Sequence, residues 1–157
     1  MSRRRRAIKR SIEPDPLYNS YILAKFINKV MTCGKKSTAR RIVYNAMEQF
    51  AKKVKAEDPL AAFEQALKNT KPTLEVKSRR IGGATYQVPV EIPEDRRASM
   101  AMKWIIEFAD QKVGRSMEDG LAQELEDCFK GQSSSIKKRD DTHKMAEANK
   151  AFAQYKW

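Results

Sequence analysis

The stretch LEVKSRRIGGATYQVPV, Leu74 to Val90, decides the fold. Two short runs rich in β-branched residues flank Gly82-Gly83. A Gly-Gly pair supplies the positive φ that tight hairpin turns demand, so the stretch predicts a β-hairpin. With Gly82 and Gly83 as the two turn residues, Arg79 stands opposite Tyr86 and Lys77 opposite Val88. Arg80 then falls opposite Thr85 on the other face, because strand side chains alternate. Cations and one aromatic gather near the tip, with few large apolar side chains to bury. An isolated two-stranded hairpin is marginal in water, so this arm needs a body behind it and a partner in front.

Around the arm the periodicity changes from two to about 3.6 residues, the helical repeat. Pro14 and Pro16 give an extended lead-in. Asn19 or Ser20 caps a first helix running to about Thr32, its apolar stripe formed by Ile22, Phe26, Ile27, Val30 and Met31. Gly34 ends it, and Ser37 is placed as the cap of a second helix carrying Val43, Met47 and Phe50. Asp58-Pro59 starts a third helix, with a cap followed by proline at the first helical position. After the hairpin, Pro93 opens a fourth helix containing Met100, Trp104, Ile105 and Phe108. Helical spacing places Trp104 in the core rather than on a base. Ser116 and Asp119 form a capping box for a fifth helix that Gly131 closes. Gln132 to Ser135 reads as a polar turn. A sixth helix begins at Lys137-Lys138-Arg139 and reaches toward Trp157, with Met145, Ala148 and Phe152 as its apolar side. The fold class is therefore mainly α: about six helices, with a protruding two-stranded arm between the third and fourth. We read one domain over residues 1–157: a basic extension (1–13), helices one to three (14–73), the arm (74–91) and helices four to six (93–157).

The chain has 157 residues and a formal net charge of +12, with 41% hydrophobic residues. That length and apolar content suit a real core, and an excess of this size predicts an anionic partner. No apolar run approaches the roughly 18–20 residues of a membrane span, so nucleic acid is favoured over a membrane. Cys33 and Cys128 lack metal or disulfide spacing and read as reduced thiols of a cytosolic protein.

Catalysis finds little support. His143 is the single histidine, and its neighbours Asp140, Asp141, Lys144 and Glu147 read as a solvated helix face. Gly34-Lys35-Lys36-Ser37 echoes a P-loop only faintly, since no Ser or Thr follows the first lysine and position 29 is lysine. No small-molecule substrate, cofactor or metal is expected. Binding falls to the cations: Arg3, Arg4, Arg5, Arg6, Lys9 and Arg10 in the N-terminal arm, then Lys35, Lys36 and Arg40 at the second helix start. Lys77, Arg79 and Arg80 lie on the hairpin, Arg96, Arg97 and Arg115 at helix starts, and Lys137, Lys138 and Arg139 on the last helix. Cations spread over a compact body suit a folded RNA, which is read by shape, phosphates and splayed bases. Tyr86 beside Arg79 would suit base stacking. A helical body with a β-arm also describes architectural DNA-bending proteins, which stand as the alternative.

Beyond composition, PDPLYNS at Pro14–Ser20, KFINKVM at Lys25–Met31 and GKKSTARRIVY at Gly34–Tyr44 resemble the bacterial-type family of small-subunit ribosomal protein seven. So do KPTLEVKSRRIGGATYQVPVEI at Lys71–Ile92 and KKRDDTHKMAEANKAFAQYKW at Lys137–Trp157, in one register over nearly the whole chain. The resemblance implies a helical domain with a β-ribbon and a primary binder of the 3′ major domain of small-subunit rRNA, nucleating assembly of the subunit's head. It implies rRNA contacts for the N-terminal arginines, Lys35, Lys36, Lys77, Arg79, Arg80, Arg96 and Arg97. It implies that the ribbon tip at Gly82, Gly83, Ala84, Thr85 and Tyr86, with His143 and Lys144 of the last helix, faces the exit-site tRNA and mRNA. Ribosomal protein eleven would be a neighbour, and the setting would be a cytoplasmic small subunit. Met117 and its loop would help to place a neighbouring protein or RNA. Gln154 stands where a histidine is common in the family, so a contact specific to that imidazole does not carry over.

Overall fold

In a computed structural model describing residues 11–155, the Gly-Gly turn forms as the sequence predicts. Strands β1 (Leu74–Ile81) and β2 (Ala84–Glu91) pair antiparallel, with Lys77 opposite Val88, Arg79 opposite Tyr86 and Arg80 opposite Thr85. Gly82 and Gly83 take φ of 56° and 91°, a region that costs an L side chain dearly.

Helices α1 (Tyr21–Val30), α2 (Lys36–Val54) and α3 (Pro59–Thr70) precede the hairpin; α4 (Glu94–Asp110), α5 (Met117–Lys130) and α6 (Ser134–Ala148) follow it. A 3₁₀ segment, Lys150–Tyr155, ends the described chain. Among the described residues no helix is long and apolar enough to cross a membrane. The capping signals of Ser20, Asp58 and Ser116 each work as read, with the side chain accepting a hydrogen bond from the first turn of its helix. Gly131 closes α5 in the left-handed conformation.

Four boundaries differ from expectation, one of them the end of the last helix, which stops at Ala148 and leaves Phe152 in a separate 3₁₀ segment instead of running on toward Trp157. The first helix stops at Val30 rather than Thr32, because Cys33 and Gly34 both turn left-handed (φ 53° and 75°) and redirect the chain. That turn delivers Lys36 already helical, so Ser37 lies inside α2 and Lys35 occupies the cap position without a side-chain hydrogen bond. The last helix starts at Ser134, with Ser133 Oγ accepting from the Ile136 N–H at 3.0 Å. Gln132 to Ser135 is thus largely a cap and first turn. Met145 and Ala148, expected inside, are exposed, and the buried side of α6 is Ser135, Ile136, Thr142 and Ala146.

The core is one cluster to which five helices contribute. Leu23, Phe26 and Ile27 of α1 meet Met47 and Phe50 of α2, Phe63 and Leu67 of α3, Met102 and Ile105 of α4, and Leu121 and Leu125 of α5, all fully buried. Helix α5 packs against α2, α3, α4 and α6. Its approach to α4 depends on Gly120, where a Cβ would lie 2.7 Å from the Ala109 carbonyl oxygen. Alanine there gains at most about 1 kcal/mol in helix propensity, whereas overpacking against backbone costs about 1–3 kcal/mol. Gly120→Ala is therefore expected to lower the urea unfolding midpoint. A raised midpoint would show that α4 and α5 have room to separate.

Beneath the start of α6 lies a buried polar knot. Glu124, 1% exposed, accepts from Ser135 Oγ at 2.7 Å and pairs with Lys112 at 2.9 Å. The Cys128 thiol donates to Ser133 Oγ at 3.2 Å, and burial pushes that thiol's pKa up. A buried carboxylate is tolerated only when paired and hydrogen-bonded, as here. Cys33 by contrast is exposed, and both thiols are free.

Candidate nucleic-acid interface

The sequence-predicted cations separate into two groups once the packing is known. One group is bound to the protein itself. Glu75, on β1 and only 8% exposed, receives Lys77 at 3.2 Å and Arg96 of α4 at 3.0 Å. Burial opposes its charge, but the hydrogen bonds from Arg96 and Lys77 outweigh that, and its pKa stays below the usual carboxylate value. Arg97 donates from Nε to the Ile92 carbonyl at 2.6 Å, pinning the exit of the hairpin. Arg139 donates to the Asn69 carbonyl at the end of α3 and pairs with Asp140. These four cations brace the base of the arm.

The other group is exposed and takes no acidic partner among the described residues: Lys35, Lys36, Arg80, Lys137 and Lys138. Lys35 and Lys36 stand at the first turn of α2, which contains no acidic residue. Positive side chains at the positive end of a helix dipole favour an anion in front of them. Lys36 and Arg40 border a small cleft of about 180 Å³ with the buried Asp15. Asp15 accepts from the Tyr44 hydroxyl at 2.7 Å and from the N–H groups of Leu17 and Tyr18. Burial, then the bond to Asp15, pushes the Tyr44 hydroxyl up to about 12. Arg40 Nε is buried without a hydrogen-bond partner among the described residues. Arg115 is exposed in the α4–α5 connection near Asp119, whose pKa is lowered first by the hydrogen bond from Ser116 and last by the charge of Arg115. Met117, half-buried, packs against the core at the start of α5. Arg3, Arg4, Arg5, Arg6, Lys9 and Arg10 lie outside the described residues.

At the arm, Gly82, Gly83, Ala84 and Thr85 are exposed. Tyr86 is not a free stacking platform. Its ring centroid lies 5.3 Å from that of Phe152 and 5.4 Å from that of Tyr155. The 3₁₀ segment thus covers β2, and the body the arm needs is supplied by the chain's own C-terminal part. His143 is also committed rather than merely solvated: its Nε2 accepts the Thr73 N–H at 3.0 Å, tying α6 to the foot of β1. Lys144 remains exposed beside it. Trp104 is in the core, as its spacing predicts. Sequence reasoning missed Glu75, which besides the nearby Lys77 binds Arg96 21 positions on, and Asn69, whose carbonyl takes Arg139 from 70 positions away.

The family model described as ribosomal protein S7p/S5e matches residues 2–150. The chain is 71% identical to the small ribosomal subunit protein uS7 of Protochlamydia amoebophila, over the full length of both. The proteins of the same name from Chlamydia abortus and Chlamydia trachomatis serovar D are 66% and 63% identical, again over both full lengths. A match this long and this close leaves no segment of the fold unaccounted for, and the chain belongs to the ribosomal protein S7p/S5e family, whose members are structural ribosomal proteins and not enzymes.

Proposed function

We propose that the protein is a structural constituent of the small ribosomal subunit, acting as a single unit that binds the 3′ major domain of small-subunit rRNA. The observation that carries this reading is the set of exposed cations without acidic partners at the α2 start, the hairpin and the α6 start. Family membership supplies the partner class, and the charge supplies the means. Phosphate neutralisation gives affinity, while the rigid spacing of the three positions reads the shape of a folded RNA. Binding of this kind nucleates assembly of the subunit's head in the cytoplasm. The tip at Gly82 to Thr85, with Lys144, faces exit-site tRNA and mRNA, and ribosomal protein eleven packs nearby. The N-terminal arginines add phosphate contacts.

An architectural DNA-binding role fits less well. Such proteins kink a duplex with apolar wedges, and at the tip the one large apolar side chain, Ile81, is half-buried beside Gly82, Gly83, Ala84 and Thr85. The deciding experiment is a competition titration at near-physiological salt. Labelled 3′ major-domain rRNA is challenged separately with the same fragment unlabelled, with duplex DNA and with unrelated structured RNA. Selective displacement by the cognate fragment is expected; equal displacement by all three would reduce the surface to a simple polycation. Within the same assay, Arg79→Ala with Arg80→Ala should weaken binding several-fold and leave helical circular dichroism unchanged. Unaltered affinity would remove the arm from the mechanism.

A further inference from the structure

We propose that His143 is a proton-operated latch that holds the foot of the hairpin against α6 when its imidazole is neutral and releases it when protonated. The hydrogen bond itself sets the protonation state. Thr73 donates its backbone N–H to His143 Nε2 at 3.0 Å, so that nitrogen must carry a lone pair and the ring proton must sit on Nδ1. An imidazolium has N–H at both positions. Protonation would turn the acceptor into a donor facing the Thr73 N–H, so the amide bond would be lost and only the longer contact of Nε2 to the Thr73 hydroxyl, at 3.3 Å, could take the new proton.

Thr73 is the residue immediately before β1, and its carbonyl accepts the Ile92 N–H at 3.0 Å, just beyond β2. The latch therefore acts at the point where both strands leave the body. A cavity of about 500 Å³ runs between this foot, α6 and the 3₁₀ segment, bordered by His143, Leu74, Pro89 and Ala146. An undocked strand has room to shift there without crossing the core.

The charges around the ring leave the balance with the neutral form. Arg139, one turn earlier on α6, disfavours the imidazolium, and Asp140 favours it. Glu91 of β2, Glu147 of α6 and Lys150 of the 3₁₀ segment border the same cavity. On the other side of Thr73, Lys71, Glu94 and Arg97 border a neighbouring cleft. The acid that α5 brings to α6, Glu124, is held by Ser135 two turns away. Burial first, then Arg139, lowers the His143 pKa below 6.5. The sign follows directly. Above 6.5 the imidazole is neutral whether docked or undocked. As pH falls below 6.5 toward the lowered value, the undocked state binds the proton first, and docking weakens.

His143 is the single histidine of the chain, so its ring resonances need no assignment. The test uses the full-length protein between about pH 5 and pH 8, the range in which histidine changes charge. Imidazole resonances give the midpoint of His143, and hydrogen exchange, corrected for intrinsic rates, gives the protection of Thr73 and the hairpin amides. The expected result is a loss of protection that sets in below pH 6.5 and is complete at the His143 midpoint, about tenfold for each unit by which docking lowers the pKa. His143→Gln keeps a neutral acceptor and should stay protected throughout the range. Protection that ignores pH in the wild-type protein, or an equal loss in His143→Gln, would overturn the latch. Should Gln fail to reach Thr73, the wild-type protein still decides: the loss of protection must level off at the ring's own midpoint, and a loss that continues unchanged below it refutes the proposal.

Discussion

Replacing Phe63 with alanine is expected to lower the free energy of unfolding by about 3–5 kcal/mol, the range for truncating a buried aromatic. Phe63 is fully buried and its ring stands 5.2 Å from that of Phe26, so α3 meets α1 through an aromatic pair. The substitution removes the ring from both helices at once and leaves a void that Leu67 and Leu23, themselves fully buried, cannot fill without leaving their own contacts. Against a typical total stability of about 5–15 kcal/mol, this is a large share. Urea unfolding followed by far-ultraviolet circular dichroism measures it directly. A loss below about 1 kcal/mol would mean that the α1–α3 contact contributes little to the core.

The second large effect concerns charge. Changing Lys35, Lys36, Arg80, Lys137 and Lys138 together to glutamine should flatten the salt dependence of rRNA binding. If each meets one phosphate, the slope of log affinity against log salt should fall in magnitude by roughly 3.5–4.5, about 0.7–0.9 per contact. The contrast is Lys52→Gln with Lys130→Gln. Both lysines are exposed, but they are already paired with Glu48 at 2.7 Å and Glu126 at 2.5 Å. That double variant should leave the slope nearly unchanged, because a lysine already paired with a carboxylate neutralises no phosphate and so displaces no counterion from the RNA. Filter-binding titrations at several salt concentrations separate the two variants. Equal slopes in both would show that total charge, not its placement, governs binding.

The parts of this fold that sequence declares are those set by neighbouring residues. Gly82-Gly83 sets the hairpin register, and Ser20, Asp58-Pro59, Ser116 and Gly131 mark helix ends, because each acts on backbone within one turn. Helix α6 was misread because hydroxyl groups form part of its buried side. Ser135 and Thr142 are buried through bonds to Glu124 and to the Lys138 carbonyl, and periodicity of apolar residues does not register them. The division of cations was equally hidden. Arg80 and Arg96 look alike in sequence; only the fold brings Glu75 to Arg96 and leaves Arg80 exposed without an acidic partner among the described residues. Tyr86 shows the same limit, since its place opposite Arg79 follows from the turn while Phe152 and Tyr155 arrive from far along the chain.

That last contact has a consequence in time. Both strands leave the ribosome synthesising them well before Phe152 and Tyr155 do, since chains emerge from the N-terminus onward. Contacts separated by nearly 70 positions also close more slowly than local ones. The nascent protein therefore has a hairpin whose register its own turn can choose at once, but whose bracing waits for the final residues. Until they emerge, the hairpin samples many directions, and the arrival of Phe152 and Tyr155 is what narrows them to one.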